Sequence, residues 1–113
     1  MNQNVLKYLL DILSVIDELE IFKSRVNHDF NVFSKDFMAT RTAERNLEII
    51  GEALNKLIKL DANLKIKDAK KVIGLRNLII HSYDSVNHEI IWGILIKNIP
   101  TLRVQIEEIR HSY

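Results

Sequence analysis

Apolar residues at Val5, Leu9, Ile12, Ile16 and Leu19 recur at spacings of four, three, four and three, and Val26 continues the phase. This period marks one buried helical stripe and predicts an amphipathic helix over roughly residues 4–26. The period is lost over 27–34, where Asn27, Asp29 and Asn31 read as a loop. Ser34 is the expected N-cap of the next helix, with Asp36 in its first turn. That second helix runs to about Leu60 on a stripe of Leu47, Ile50, Leu54 and Leu57, widened by Ile49, Ala53 and Ile58. Gly51 interrupts it at a cost of roughly 1 kcal/mol against alanine, which a close helix contact would explain. Asp61-Ala62-Asn63 reads as a connection. A third helix is expected from near Lys67, carrying Val72, Ile73, Leu75, Leu78, Ile79 and Ile80 towards His81. Asp84-Ser85-Val86-Asn87 offers capping residues for a fourth helix, with Ile90, Ile91, Ile94 and Leu95 apolar and Trp92 beside them. Pro100 suits the first turn of a fifth segment better than a helix interior, and Leu102, Ile106 and Ile109 give that segment its stripe.

Only three glycines and one proline occur in 113 residues, too few turn formers for a sandwich or barrel. An all-α fold of four to five helices is expected, as one domain over residues 1–113. The aromatic residues Phe30, Phe33, Phe37 and Trp92 are expected in the core or at an interface. The absence of cysteine removes disulfides, thiol catalysis and the usual structural zinc ligands. The start Met1-Asn2-Gln3-Asn4 lacks the pattern of a signal peptide, and the longest apolar candidate, Ile90 to Ile96, is too short for a membrane span. A cytoplasmic protein without membrane attachment is therefore expected. Net charge is only +1, so any nucleic-acid contact must be local. The densest basic cluster is Lys65, Lys67, Lys70, Lys71 and Arg76. As a lysine run it reads as a solvated face; its place beside the motif below makes Lys70 and Lys71 candidate RNA contacts.

The run Arg76-Asn77-Leu78-Ile79-Ile80-His81-Ser82-Tyr83 concentrates the chain's chemistry. Arginine holds phosphate with a planar fork of donors, histidine moves protons near neutral pH, and tyrosine offers a modifiable hydroxyl. RNA carries its own nucleophile, the 2′-hydroxyl, so a histidine and an arginine can cleave it without a metal or other cofactor and leave a 2′,3′-cyclic phosphate. On a helix, residues seven apart nearly eclipse while residues five apart differ by about 140°, so convergence of Arg76, His81 and Tyr83 calls for a helix end or distortion near His81. One histidine cannot easily be both acid and base; two copies in a symmetric dimer could divide those roles. The bland alternative is that Arg76 and His81 serve as helix caps or ion-pair partners. His28, His88 and His111 lack such neighbours and read as surface or capping residues. Arg41, Arg45, Glu48 and Glu52 form a charged line with spacings of four, three and four, readable as a solvated face with internal ion pairs.

The run resembles the R-x4-H-x-Y signature of HEPN-domain proteins, in particular the HepT-like toxins paired with MNT-type minimal nucleotidyltransferases. Glu48-Ile49-Ile50-Gly51-Glu52-Ala53 resembles the family's "IGEA" segment, and Gly74-Leu75-Arg76-Asn77 its "G-(M/L)-R-N" lead-in. Ile90-Ile91-Trp92 and Ile99-Pro100-x-Leu102 resemble its downstream helix. In place of a tryptophan that many relatives carry before the glycine stands Ala69-Lys70-Lys71. The resemblance implies an antiparallel helical bundle that forms a homodimer, with Arg76 and His81 of both subunits lining a cleft. It implies a metal-independent endoribonuclease toxin acting on RNA, needing no cofactor, with Asn77 positioning the pair and Arg45, Glu48 and Glu52 supporting the cleft. It also implies a nucleotidyltransferase antitoxin that transfers AMP to Tyr83 and silences the site through bulk and negative charge. The competing expectation is a non-catalytic HEPN module that binds nucleotide or docks a nucleotidyltransferase, since fold does not decide between the two.

Overall fold

The structure, a computed structural model, describes residues 3–81 and 87–112, and of residues 78–81 it describes the backbone. All regular elements among the described residues are helical. They are α1 (Gln3–Arg25), α2 (Phe30–Lys35), α3 (Phe37–Leu60), α4 (Ala69–His81), α5 (His88–Gly93), a π-helical turn (Ile94–Asn98) and α6 (Ile99–His111).

The four-three periodicity of α1 places Val5, Leu9, Ile12, Ile16 and Leu19 in the core. The helix ends in a Schellman arrangement. Asn27 N–H donates to Ser24 O and His28 N–H to Lys23 O, with Asn27 and His28 at φ of 55° and 53°. Asparagine tolerates that left-handed backbone better than most residues, so α1 stops there.

The expected loop over 27–34 is instead largely helix. Asp29 caps α2, its carboxylate accepting from the N–H groups of Asn31 (2.8 Å) and Val32 (3.4 Å). Phe33 is thereby driven into the core, where it meets Phe22 edge-on and lies 5.0 Å from the Trp92 ring. The segment has no period because one turn is too short to show one. The cap of α3 is Asp36, which accepts from Met38 N–H and Ala39 N–H at 3.1 Å each, in place of the expected Ser34. Ser34 lies inside α2 and bonds back to Asn31 O. Of the aromatic residues expected in the core or at an interface, Phe37 is 63% exposed, its ring under the Arg41 guanidinium.

The long helix α3 runs through the centre, packed against α1 on one side and α4 on another. It is antiparallel to α1: Lys56 lies over the Tyr8 ring near one end, and Phe22 and Val26 line one cavity with Asp36 and Ala39 near the other. Leu47, Ile50, Leu54 and Leu57 are buried, as the stripe predicts.

Asn87 caps α5 by accepting from Glu89 N–H at 2.8 Å; Asp84, Ser85 and Val86, the other capping candidates, lie outside the described residues. The fourth and fifth segments join without a break. Ile99 N–H donates to Ile94 O, five residues back, which widens one turn. Pro100 sits at the start of α6, where the missing N–H is tolerated because the widened turn has already disrupted the regular ladder. The rod packs on α1 through Ile99, Leu102 and Ile106, and Arg103 pairs with Asp17.

Replacing Asp36 by alanine removes an acceptor from two orphan N–H groups and should lower stability by about 1 kcal/mol. Ser34→Ala should change it by much less; a thermal melt of both variants distinguishes Asp36 from Ser34 as the cap.

Candidate functional site

The site is built on the α3–α4 contact. At Gly51 the two helices approach so closely that a Cβ there would stand 2.6 Å from Cβ of Arg76 and 3.1 Å from the Val72 carbonyl oxygen. Only glycine fits, which is why α3 accepts the helix-propensity penalty. A close helix contact that explains Gly51 therefore exists, and its partner is the motif arginine itself.

Pinned at its Cβ, Arg76 is half-buried along its stem. Its Nη1 donates to Asn77 Oδ1 at 3.1 Å, and its Nε is buried without a hydrogen-bond partner. Among the described residues no carboxylate lies within ion-pair distance of it. The guanidinium is thus a charged fork with unused donors. Asn77, exposed beside it, is the acceptor for that one arm.

The charged line on α3 is occupied by its own pairs. Arg45 meets Glu48 at 3.5 Å, and Glu52 meets Lys56 at 3.6 Å. These are the internal ion pairs of a solvated face, and among the described residues none of them reaches Arg76. Glu48 and Glu52 flank Gly51 in sequence, about 60° and 100° around the helix from it. On α4, Lys70 is seven residues before Asn77 and nearly eclipses it, so these two exposed side chains share one face, with half-buried Arg76 about 100° around the helix from Asn77. Lys71 is exposed about 100° from Lys70 in the other direction, away from Arg76.

The backbone of His81 is in α4, about 7.5 Å along the axis from Arg76. Its side chain and Tyr83 lie outside the described residues, as does the expected distortion after His81. Of the other histidines, His28 and His111 are exposed and His88 packs edge-on against Phe33.

The far end of α4 is held by contacts that local pattern does not reveal. Asn98 of the π-helical turn donates to Asp68 Oδ1 at 2.9 Å, and Lys67 N–H donates to Gln105 Oε1 at 3.0 Å. These pairs are 30 and 38 residues apart in sequence. Pro100 was the one local hint of an irregular turn there.

A family model described as "Ribonuclease HepT-like" matches residues 12–109. The chain belongs to the HepT-like ribonuclease family. The matched stretch includes Gly51, Arg76, Asn77 and His81, so the close α3–α4 contact and the motif fall inside the HepT-like domain. Among curated relatives, "Putative RNase TTE0752" of Caldanaerobacter subterraneus subsp. tengcongensis is 40% identical over 97 residues, covering 84% of this chain and 87% of its own. "Putative RNase MJ1380" of Methanocaldococcus jannaschii is 31% identical over 107 residues, covering 93% and 95%. "Probable ribonuclease HepT" of Thermococcus cleftensis is 29% identical over 107 residues, covering 91% and 93%. No solved structure matches the chain significantly. Among the described residues of this HepT-like chain, no helix is long and apolar enough to cross a membrane.

The two glycines flanking the motif region should respond oppositely to alanine. Gly51→Ala forces α4 and Arg76 away and should cost about 1–3 kcal/mol. Gly74 has nothing within 4 Å of an added Cβ, so Gly74→Ala should stabilise by up to about 1 kcal/mol. Chemical denaturation of both variants measures the pair.

Proposed function

We propose that this HepT-like protein is the toxin of a toxin–antitoxin pair, a metal-independent endoribonuclease whose reaction centres on Arg76 and His81. The observation that carries the reading is the state of Arg76. Its stem is clamped against Gly51, one arm is held by Asn77, and no described carboxylate neutralises it. Glu48 and Glu52 flank Gly51 in sequence yet pair with Arg45 and Lys56. A phosphodiester supplies the acceptors that the guanidinium lacks.

In the reaction, a His81 imidazole accepts the proton of an RNA 2′-hydroxyl. The 2′-oxygen attacks the adjacent phosphorus, and the bond to the leaving 5′-oxygen breaks as that oxygen takes a proton. The products are a 2′,3′-cyclic phosphate and a 5′-hydroxyl. Arg76 balances the extra charge on the pentacoordinate phosphorus. A second copy in a homodimer supplies the second imidazole, so one acts as base and the other as acid. Lys70 and Asn77 extend the phosphate-binding face, and Lys71 adds to the positive field around it.

Silencing follows from the same electrostatics. A nucleotidyltransferase antitoxin transfers AMP from ATP to the Tyr83 hydroxyl with release of pyrophosphate. The added phosphodiester is negative and within two residues of His81, where it competes for Arg76 and blocks RNA.

Expression of the wild type without a partner should arrest growth and leave cyclic-phosphate RNA ends. His81→Ala and Arg76→Ala should each reduce cleavage at least about 100-fold while melting like the wild type, and a chelator should not inhibit. RNA left intact by soluble, unmodified wild type would instead support a non-catalytic nucleotide-binding or partner-docking module. Incubation with the cognate nucleotidyltransferase and ATP should add AMP to the wild type and not to Tyr83→Phe; mass spectrometry finding AMP on that variant would move the modification to another residue.

A further inference from the structure

The motif helix carries a glycine that the packing of this chain does not use. Gly74 stands in mid-α4, where only proline is less favourable. It is exposed, its φ is not in the left-handed region, and no described atom lies within 4 Å of the place a Cβ would take. Gly51 offsets the same penalty through its contact with Arg76, and Gly74 has no such contact among the described residues. Gly93 is equally open, but it stands where α5 gives way to the π-helical turn. Glycine in a regular element suits a place where a ligand approaches the backbone closely. We propose that Gly74 is the point at which the phosphodiester backbone of a single RNA strand lies against α4, with Lys70 and Asn77 holding its phosphates one turn to either side.

The occupant follows from the charge around that glycine. Lys70, Gly74 and Asn77 are all exposed and fall within an arc of about 60° on α4. They span about 10 Å along the axis, the length of roughly three phosphates of a stacked strand. Residues 59–77 hold six lysines and arginines against two aspartates, so this stretch is strongly positive in a chain of net charge +1. One of the aspartates, Asp68, is bonded to Asn98 and has its other oxygen buried. The same bond holds the turn that carries Lys97 beside the start of α4. Lys65, Lys67, Lys70, Lys71 and Lys97 are exposed, and among the described residues none has an ion-pair partner. A nucleic-acid strand carries its charge on the backbone that makes the closest approach, so one strand answers both the lysines and the glycine.

This platform adjoins the motif arginine. The Arg76 stem lies about 100° around α4 from Asn77, on the side of Gly51, yet its Nη1 reaches Asn77 Oδ1 at 3.1 Å. With that oxygen engaged, the amide N–H groups are what Asn77 offers a phosphate. The strand passes from Arg76 across Asn77 and Gly74 to Lys70, and leaves the site towards the lysines at the start of α4. Contacts of this kind read phosphates and not bases. They set how much RNA is held on one side of the scissile bond, and leave its sequence unread. This deepens the ribonuclease reading and rests on it for the identity of the strand.

A 2′-O-methyl oligoribonucleotide lacks the attacking hydroxyl, so its binding to the full chain tests the platform apart from cleavage. Fluorescence anisotropy should show wild-type affinity falling steeply with salt. Gly74→Ala should melt no lower than the wild type yet bind about tenfold more weakly, and Gly74→Leu more weakly still. A glycine with only a structural role would not separate stability from binding in this way. Lys70→Gln should reduce the slope of log affinity against log salt by about 0.7, with the same loss for A-rich and U-rich strands. Lys35→Gln, on α2, should bind as the wild type does. Sedimentation velocity reports the association state of each variant. Three results would overturn the platform: a wild type without affinity for the strand, Gly74→Ala or Lys70→Gln binding as the wild type does, or a loss of affinity matched by a loss of self-association, which would give the face to a protein contact. A wild type that binds as described yet leaves the unmodified strand intact would instead overturn the ribonuclease reading alone.

Discussion

The approach of α4 to α3 at Gly51 is the constraint on which the site depends. A missing Cβ lets Arg76 and the Val72 carbonyl settle against the backbone of the central helix. The arginine stem is thereby immobilised before any ligand arrives, which removes much of the rotamer entropy that binding would otherwise cost. The same closeness dries the Nε and leaves the terminal nitrogens to Asn77 and to the groove outside. Packing and electrostatics are therefore not separable here: the contact that holds the helices together also presents the charge.

Near that charge, the acids that flank Gly51 in sequence are occupied. Glu48 and Glu52 each have a cation one turn away on α3, at i−3 and i+4. Pairs of this kind contribute little to stability at the surface. Their effect is on partition: they keep the negative charge of α3 on its own outer face and leave the α4 face positive. A chain of net charge +1 can in this way keep a local excess of positive charge.

The other end of α4 is tied down by different means. The π-helical turn breaks the regular ladder before Pro100 and carries Asn98, which donates to Asp68 just before α4. Gln105 accepts from the backbone of Lys67 one residue earlier. The motif helix is thus held at one end by polar contacts to the C-terminal rod and in its middle by contact with α3. This arrangement fixes its direction as well as its position.

Much of this was legible in the chain. Long apolar periods located α1, α3 and the last helix, because burial of one face repeats every three to four residues wherever a helix is several turns long. Arg76, Asn77 and His81 also stood out as candidates, since residue type and spacing mark the run. The single turn of α2 was not visible, because six residues cannot display a period, and Asp36 displaced Ser34 as cap because α2 had already absorbed the serine. Gly51 violated propensity in a way that a close contact would explain, but the sequence showed neither the contact nor its partner. That Arg76 is the partner, that Asp68 meets Asn98, and that Glu48 and Glu52 turn to Arg45 and Lys56 were decided by tertiary structure alone. Each depends on which helix faces lie together across tens of residues or on which of several reachable charges a side chain meets. The sequence determined which faces are apolar and which residues can do chemistry; only the packed helices determined which of those residues stand within reach of one another.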